Sequence, residues 1–115
     1  MRGGPSAAPR SSSAQIIRRP SVRLVWSRHA EHDADAIFDY IAQDKPAAAL
    51  ETRDQIELQV KGLKDFPETG RKGRVRGTRE LVIAGFPYVV VYRLRGAVIE
   101  IVRVLHGAQQ WPPAK

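Results

Sequence analysis

The spacing of the apolar residues changes once along this chain, and that change limits the fold more than any other feature. Between positions 28 and 63 the apolar side chains recur three or four residues apart, whereas between positions 78 and 106 they form short β-branched runs. A chain that builds helices first and a run of strands afterwards is typical of α+β folds, in which helices pack on one side of an antiparallel sheet.

Two helices are predicted in the first half of the chain. Ser27 is a suitable N-cap, and acidic residues follow it, as the positive end of a helix prefers. The first helix should end near Gln43, and Pro46 suits the first turn of the second helix, which should stop near Pro67. Because the link is short, the two should form an antiparallel hairpin. The apolar stripes are Ala30, Ala34, Ile37 and Ile41 in the first helix, and Ala49, Ile56, Val60 and Leu63 in the second.

Four strands are predicted around this hairpin. The segment VRLVWS, from Val22, alternates and indicates a short first strand. The runs TRELVI (78–83), YVVVYRL (88–94) and AVIEIVRVLH (97–106) form a meander, with Arg95-Gly96 as a tight turn. The middle run is apolar on both faces, which indicates a central strand, and 67–77 is predicted as a loop or a ragged edge of the sheet. The predicted order is β-α-α-β-β-β, with a helical hairpin packed on a largely antiparallel sheet.

Length and composition indicate one small domain. The chain has 115 residues, of which 43% are hydrophobic, and no cysteine, which excludes disulfide scaffolds, cysteine-ligated metals and thiol catalysis. No apolar run is long enough to span a bilayer. Residues 1–21 are rich in Gly, Pro, Ser and Arg and are predicted to be a disordered tail, with 22–115 as the folded domain. A transit peptide, or a true start downstream, are alternative explanations of this tail.

The net charge of +7 is distributed unevenly and favours an anionic partner. Residues 1–22 hold four arginines and no acid, residues 23–68 hold six bases and ten acids, and residues 69–115 hold nine bases and two acids. The densest group has five bases in nine positions, which could follow a phosphate backbone or bind an acidic partner, or could simply be solvated. This basic run consists of Arg71, Lys72, Arg74, Arg76 and Arg79.

Few residues suggest catalysis. The chain has no P-loop, dinucleotide-binding glycine motif, GxSxG or HExxH, and neither a cofactor nor a metal is predicted. His29 and His32 lie three apart, but no third ligand has a suitable spacing, so solvated helix residues are the simpler interpretation. His106 ends the last strand and, with Arg79 and Arg93, could form a metal-free ribonuclease site. A structural histidine where the sheet meets the tail is the alternative.

The residues of the predicted sheet resemble a known family. The stretch RELVIAGFPYVVVYRLRGAVIEIVRVLHGAQQWP is similar to the C-terminal half of the RelE/ParE superfamily of toxins from bacterial type II toxin–antitoxin modules, and VRLVWSRHAEHDADAIFDYIAQDKPAAAL to its N-terminal strand and first helix. The resemblance covers about residues 22–112. It implies a curved antiparallel sheet, a cytoplasmic bacterial toxin, and neutralisation by a small cognate antitoxin through which operator DNA would be bound.

The superfamily divides by target, and this sequence is closer to the ParE branch, which acts on DNA gyrase, than to the RelE branch, which cleaves messenger RNA on the ribosome. Arg79 matches a basic position of the ribonucleases, but Leu81 and Val89 occupy positions where further bases would be expected. His106 matches the histidine of a ribonuclease subgroup, while Gly107 replaces the tyrosine that follows it.

Three functional hypotheses follow. The first is a ParE-like toxin that inhibits DNA gyrase. The second is a RelE-like ribosome-dependent endoribonuclease that uses His106 and Arg79. The third is a non-toxic nucleic-acid-binding module, and no membrane partner is expected in any of them. The antitoxin is predicted to lie against the sheet, and the residues predicted to bind antitoxin or nucleic acid are Arg71, Lys72, Arg74, Arg76, Arg79 and Arg93.

Overall fold

The structure, a computed structural model, describes residues 22–113 and confirms the predicted fold class of two helices on a largely antiparallel sheet. The predicted disordered tail, residues 1–21, lies outside the described residues. Within the described part of the chain, neither helix is long and apolar enough to cross a membrane. The elements are β1 (Arg23–Trp26), α1 (Arg28–Ala42), α2 (Pro46–Lys61) with a 3₁₀ turn at Gly62–Lys64, β2 (Arg71–Lys72), β3 (Arg79–Val82), β4 (Tyr88–Arg95) and β5 (Val98–His106).

The helical hairpin forms where the apolar spacing predicts it. Ser27 caps α1, since its hydroxyl oxygen accepts a hydrogen bond from the Ala30 backbone N–H at 3.0 Å. Pro46 is the first residue of α2. The predicted stripe of α2 is fully buried, whereas in α1 only Ala30 is, and the rest of that stripe is partly buried. The hairpin therefore covers the sheet mainly through α2 and the first turn of α1.

The sheet has one strand more than the sequence indicates. Its order is β1-β5-β4-β3-β2, in which β1 lies parallel to β5 and every other pair is antiparallel. The two-residue strand β2 lies within the segment predicted as a loop or ragged edge, and it pairs with β3 at the edge of the sheet. YVVVY is the central strand, as predicted, and each of its five side chains is buried.

The turn between β4 and β5 differs by one residue from the prediction. Arg95 pairs with Val98, so the two residues of the turn are Gly96 and Ala97 instead of Arg95 and Gly96. Gly96 has a φ of 59°, a left-handed conformation that glycine adopts without strain. A β-bulge between Val91 and Tyr92 shifts the register along β4. Arg93 therefore pairs with Glu100, two positions further along β5 than a turn at Arg95-Gly96 would place it.

β1 ends at Trp26, so the backbone of β5 beyond Ile101 has no neighbouring strand on that side. Side chains at the start of α1 form hydrogen bonds with that backbone instead. The Ser27 hydroxyl donates a hydrogen bond to the Val102 carbonyl at 3.1 Å, and the Asp33 carboxylate accepts one from the Val104 N–H at 3.0 Å. Because the backbone of an uncovered strand needs hydrogen-bond partners, these two side chains join the start of α1 to the edge of β5.

Candidate functional site

The basic run surrounds a buried carboxylate. Glu80, on β3, is 1% exposed, and its oxygens accept hydrogen bonds from the Arg71 guanidinium at 3.0 Å, the Arg74 guanidinium at 3.0 Å and the Arg74 backbone N–H at 2.9 Å. A buried carboxylate is costly unless it is paired and hydrogen-bonded, and here both conditions are met. Two of the five bases therefore neutralise an acid of the same chain.

The environment of Glu80 stabilises its charged form. Burial alone would raise the pKa of its carboxyl, but the hydrogen bonds from Arg74 and Arg71 and the Arg74 charge outweigh burial and hold that pKa below its ordinary value. Glu80 is thus ionised at neutral pH.

Tyr92 and Arg79 hold the start of the same loop. The Tyr92 hydroxyl donates to the Pro67 carbonyl and accepts from the Gly70 N–H, each at 2.8 Å. Burial is the main reason that the pKa of this hydroxyl is raised. A Cβ on Gly70 would lie 2.6 Å from that hydroxyl oxygen, so this position requires glycine. The Nη1 of Arg79 donates to the Gly70 carbonyl at 2.7 Å and the Glu68 carbonyl at 3.2 Å, which anchors the guanidinium predicted to bind phosphate against the loop.

Lys72 and Arg76 are the members of the basic run that remain available. Both are exposed, and within residues 22–113 neither forms an ion pair. Because Glu80 and Tyr92 fix the loop on either side, these two cations are held outward on a supported backbone. We call them the free cation pair, and they are the part of the basic run most suited to an external anionic partner.

The arginines of the β4–β5 hairpin and β5 also have carboxylate partners. Arg93 binds Glu100 at 2.8 Å, and Arg95 lies 4.0 Å from the same carboxylate. Arg103 forms a bidentate pair with Asp33 at 2.6 and 3.1 Å, and its guanidinium lies 5.2 Å from the centre of the Trp111 ring. Because these arginines are paired with carboxylates, fewer unpaired cations remain on the surface of the C-terminal half than its number of bases would suggest.

His106 lies at the opposite end of the sheet from Arg79. It pairs with Tyr88 across β4 and β5, while Arg79 pairs with Tyr92. Four residues of strand separate these two pairs, which is about 13 Å along β4. The fold therefore does not bring together the two residues that the ribonuclease hypothesis combines.

The His106 side chain is exposed and bonded on one nitrogen. Its Nδ1 accepts a hydrogen bond from the Ala108 N–H at 3.1 Å, and its ring meets the edge of Tyr88 with the ring centres 5.7 Å apart. Burial raises the pKa of the Tyr88 hydroxyl. His29 and His32 are exposed on α1, and no group of three or more potential ligands in the described part of the chain could hold a metal ion.

Two acidic residues that position these arginines were not predicted from the sequence. Glu80 and Asp33 each bind arginine and a backbone N–H, and each is well buried for a carboxylate. A signal for Glu80 was present, because it is one of only two acids after residue 68 and is followed directly by the apolar run Leu81-Val82-Ile83. No comparable signal marks Asp33, since its partner is 70 residues away.

The comparisons with known proteins agree with this architecture. The family model described as the ParE toxin of the type II toxin–antitoxin system parDE matches residues 24–111. The toxin candidate Y4kP of Sinorhizobium fredii is 42% identical over 90 residues, which are 78% of this chain and 93% of the relative. The toxin RelE2 of Caulobacter vibrioides is 36% identical over 87 residues, which are 76% of this chain and 97% of that toxin.

A solved structure agrees as well. A chain of the chromosomal ParDE toxin–antitoxin system from P. aeruginosa superimposes with a TM-score of 0.69 at 32% identity, over 75% of this chain and 96% of that one. The region matched by the family model contains both helices, the loop held by Glu80 and all of the sheet except Arg23, the first residue of β1. On the family model, the curated relatives and this structure together, the chain belongs to the ParE toxin family of type II toxin–antitoxin systems.

Proposed function

We propose that this toxin inhibits DNA gyrase in the bacterial cytoplasm and is neutralised by a cognate antitoxin. The observation that supports DNA gyrase over messenger RNA as the target is that the arginines of the hypothetical ribonuclease site are held by other groups of this chain. A metal-free ribonuclease needs cations that are free to stabilise the charge developing on the phosphate. Here Arg93 is neutralised by Glu100, and Arg79 is held against the loop by two carbonyl hydrogen bonds from its Nη1, which limits how far its charge can move toward a phosphate.

Two apolar residues at positions expected to be basic in a ribonuclease also support gyrase as the target. Leu81 and Val89 occupy positions where the ribonuclease branch has bases, and Val89 is buried within the sheet. Loss of charged groups at such positions removes transition-state stabilisation, which mutagenesis values at about 3 kcal/mol per donor. His106 alone could move a proton but would have no cation beside it among the partners described above.

A ribonuclease remains the second candidate, on two specific observations. The imidazole of His106 is exposed, and among the described residues only its Nδ1 has a hydrogen-bond partner, so Nε2 is available to a substrate. One relative, at 36% identity, is named toxin RelE2.

The test compares the parent with His106→Gln, a variant that keeps a polar side chain of similar length. Purified toxin is added to a DNA gyrase supercoiling assay and to a ribosomal translation reaction whose messenger RNA is mapped for cuts. We expect inhibited supercoiling, intact messenger RNA, and the same inhibition by His106→Gln. If the parent cuts messenger RNA and leaves supercoiling normal, and His106→Gln does not cut, the gyrase proposal would be overturned in favour of the ribonuclease.

The cognate antitoxin is proposed to present an acidic segment to the free cation pair. A solved neighbour belongs to a ParDE toxin–antitoxin system, which supports an antitoxin partner for this chain. Lys72 and Arg76 are exposed cations on a fixed loop, and β2 covers only the first two residues of β3. Leu81 and Val82 therefore remain at a free strand edge, where a partner strand could pair with the backbone. Contact with operator DNA would come through the antitoxin.

A further inference from the structure

An apolar wedge lies between α2 and β1, the strand at one edge of the sheet. Its cavity of about 410 Å³ is lined by Leu24, Trp26, Asp54, Glu57, Leu58 and Lys61. Trp26 and Glu57 also line an adjacent groove of about 340 Å³ between the two helices. Leu58 is 61% exposed, so a large apolar side chain here meets solvent.

Acidic residues outnumber basic ones around this wedge. Asp54 and Glu57 are exposed beside the one lining base, Lys61, and Glu31 and Asp35 extend the negative charge along the adjacent groove, whose one lining base is Arg53. Among residues 22–113, none of these four carboxylates forms an ion pair. The wedge therefore favours an occupant that is both apolar and cationic.

The N-terminal segment of this chain has that composition. Apart from Met1, Ile16 and Ile17 are its only bulky apolar residues, and Arg18 and Arg19 follow them directly. The chain enters the fold at Val22, two residues before Leu24, which lines the wedge. Val22 is five positions after Ile17, and these five intervals can span up to about 16 Å, so the segment can reach this surface.

We propose that residues 14–21 bind in the wedge of the same chain, with the isoleucines against Leu24 and Leu58 and the arginines beside Asp54 and Glu57. A segment too polar to build a core of its own can still bind a surface to which it is tethered, because the tether gives it a high effective concentration there. The match to the toxin family begins at residue 24. This contact is therefore an addition to the shared toxin domain, and it covers one edge of its sheet.

The absence of cysteine from the chain allows a direct test in the full-length protein. Ile17→Cys is combined either with Leu58→Cys, in the wedge, or with Val25→Cys. Val25 is a matched control because it lies on the same edge strand, is 38% exposed, and alternates with the wedge residues Leu24 and Trp26, so it faces the other side of the sheet. Disulfide formation under mild oxidant is followed on non-reducing gels.

We expect the Leu58 pair to close within the monomer about tenfold faster than the Val25 pair, because a bound segment raises the local thiol concentration in the wedge alone. Equal rates for the two pairs would overturn the proposal, since an unbound segment would reach Val25 at least as easily. Disulfide-linked dimers as the main product would also overturn it, because the segment would then bind a second copy.

A charge variant tests the proposed pairing of arginines with carboxylates. Arg18→Glu with Arg19→Glu, added to the Ile17→Cys/Leu58→Cys variant, should reduce its rate of disulfide formation towards that of the Val25 pair. High salt should reduce the same rate in the Leu58 pair without the charge changes. Arg2→Glu with Arg10→Glu makes the same change in net charge at positions farther from Val22 along the sequence and should leave the rate unchanged. Equal reductions by both double variants would show a general charge effect and would overturn the pairing.

Discussion

Glu80 shows how one residue determines which neighbouring charges are available. Its carboxylate binds Arg71 and Arg74, which are partly exposed, so both would be hydrated if it were removed. We predict that Glu80→Gln lowers the free energy of unfolding by about 1–3 kcal/mol at neutral pH, measured by urea denaturation, because charge-assisted hydrogen bonds in a buried position are lost. Glu100→Gln is the control, and its more exposed pair should cost about 1 kcal/mol or less.

The same residue predicts a dependence on pH. Because the pKa of Glu80 is lower in the folded state, its ionised form contributes stability above the unfolded pKa of about 4 to 4.5, and this contribution is lost as the pH falls through the lower, folded value. The stability difference between the parent and Glu80→Gln should therefore narrow in acid. A difference that stays constant from pH 7 to pH 3 would contradict the proposed role of the charge.

At the scale of elements, Asp33 joins α1 to β5. Its carboxylate accepts two hydrogen bonds from Arg103 and one from the Val104 backbone N–H, and both side chains are mostly buried. We predict that Asp33→Ala lowers the free energy of unfolding by about 2–4 kcal/mol, since it leaves a buried guanidinium and a backbone donor without partners.

Asp35→Ala provides the matched control on the same helix. Asp35 is exposed, and among residues 22–113 it forms no ion pair, so its removal should change stability by about 0.5 kcal/mol or less. Equal destabilisation by the two substitutions would mean that Asp33 acts through helix charge alone and not through its contacts with β5.

At the scale of the whole molecule, charge is segregated between an acidic helical hairpin and a basic C-terminal half, but internal pairing leaves little of the latter free. We predict that Lys72→Glu with Arg76→Glu weakens binding of the cognate antitoxin and reduces the salt dependence of its affinity, measured by calorimetry at two salt concentrations, because the attraction of the free cation pair is removed.

The control for this variant is Arg28→Glu with Lys45→Glu, which makes the same change in net charge on the exposed surface of the hairpin. It should leave the affinity nearly unchanged. If both double variants weaken binding equally, the antitoxin responds to net charge and not to the loop. Arg74 is unsuitable for this test, because its substitution would also remove one of the two guanidinium groups that neutralise the buried Glu80 carboxylate.

The helices, the central strand and the family could be predicted from the amino-acid sequence, because each depends on local patterns: the cap at Ser27, the stripe of α2 and the apolar run of β4. Which charges are free could be seen only in the folded protein. Pairs such as Asp33 with Arg103 join residues far apart in the chain, and a linear pattern shows neither partner. The short strand β2 and the shifted turn at Gly96-Ala97 also depend on strand register, which is set by packing across the sheet and not by residue preference.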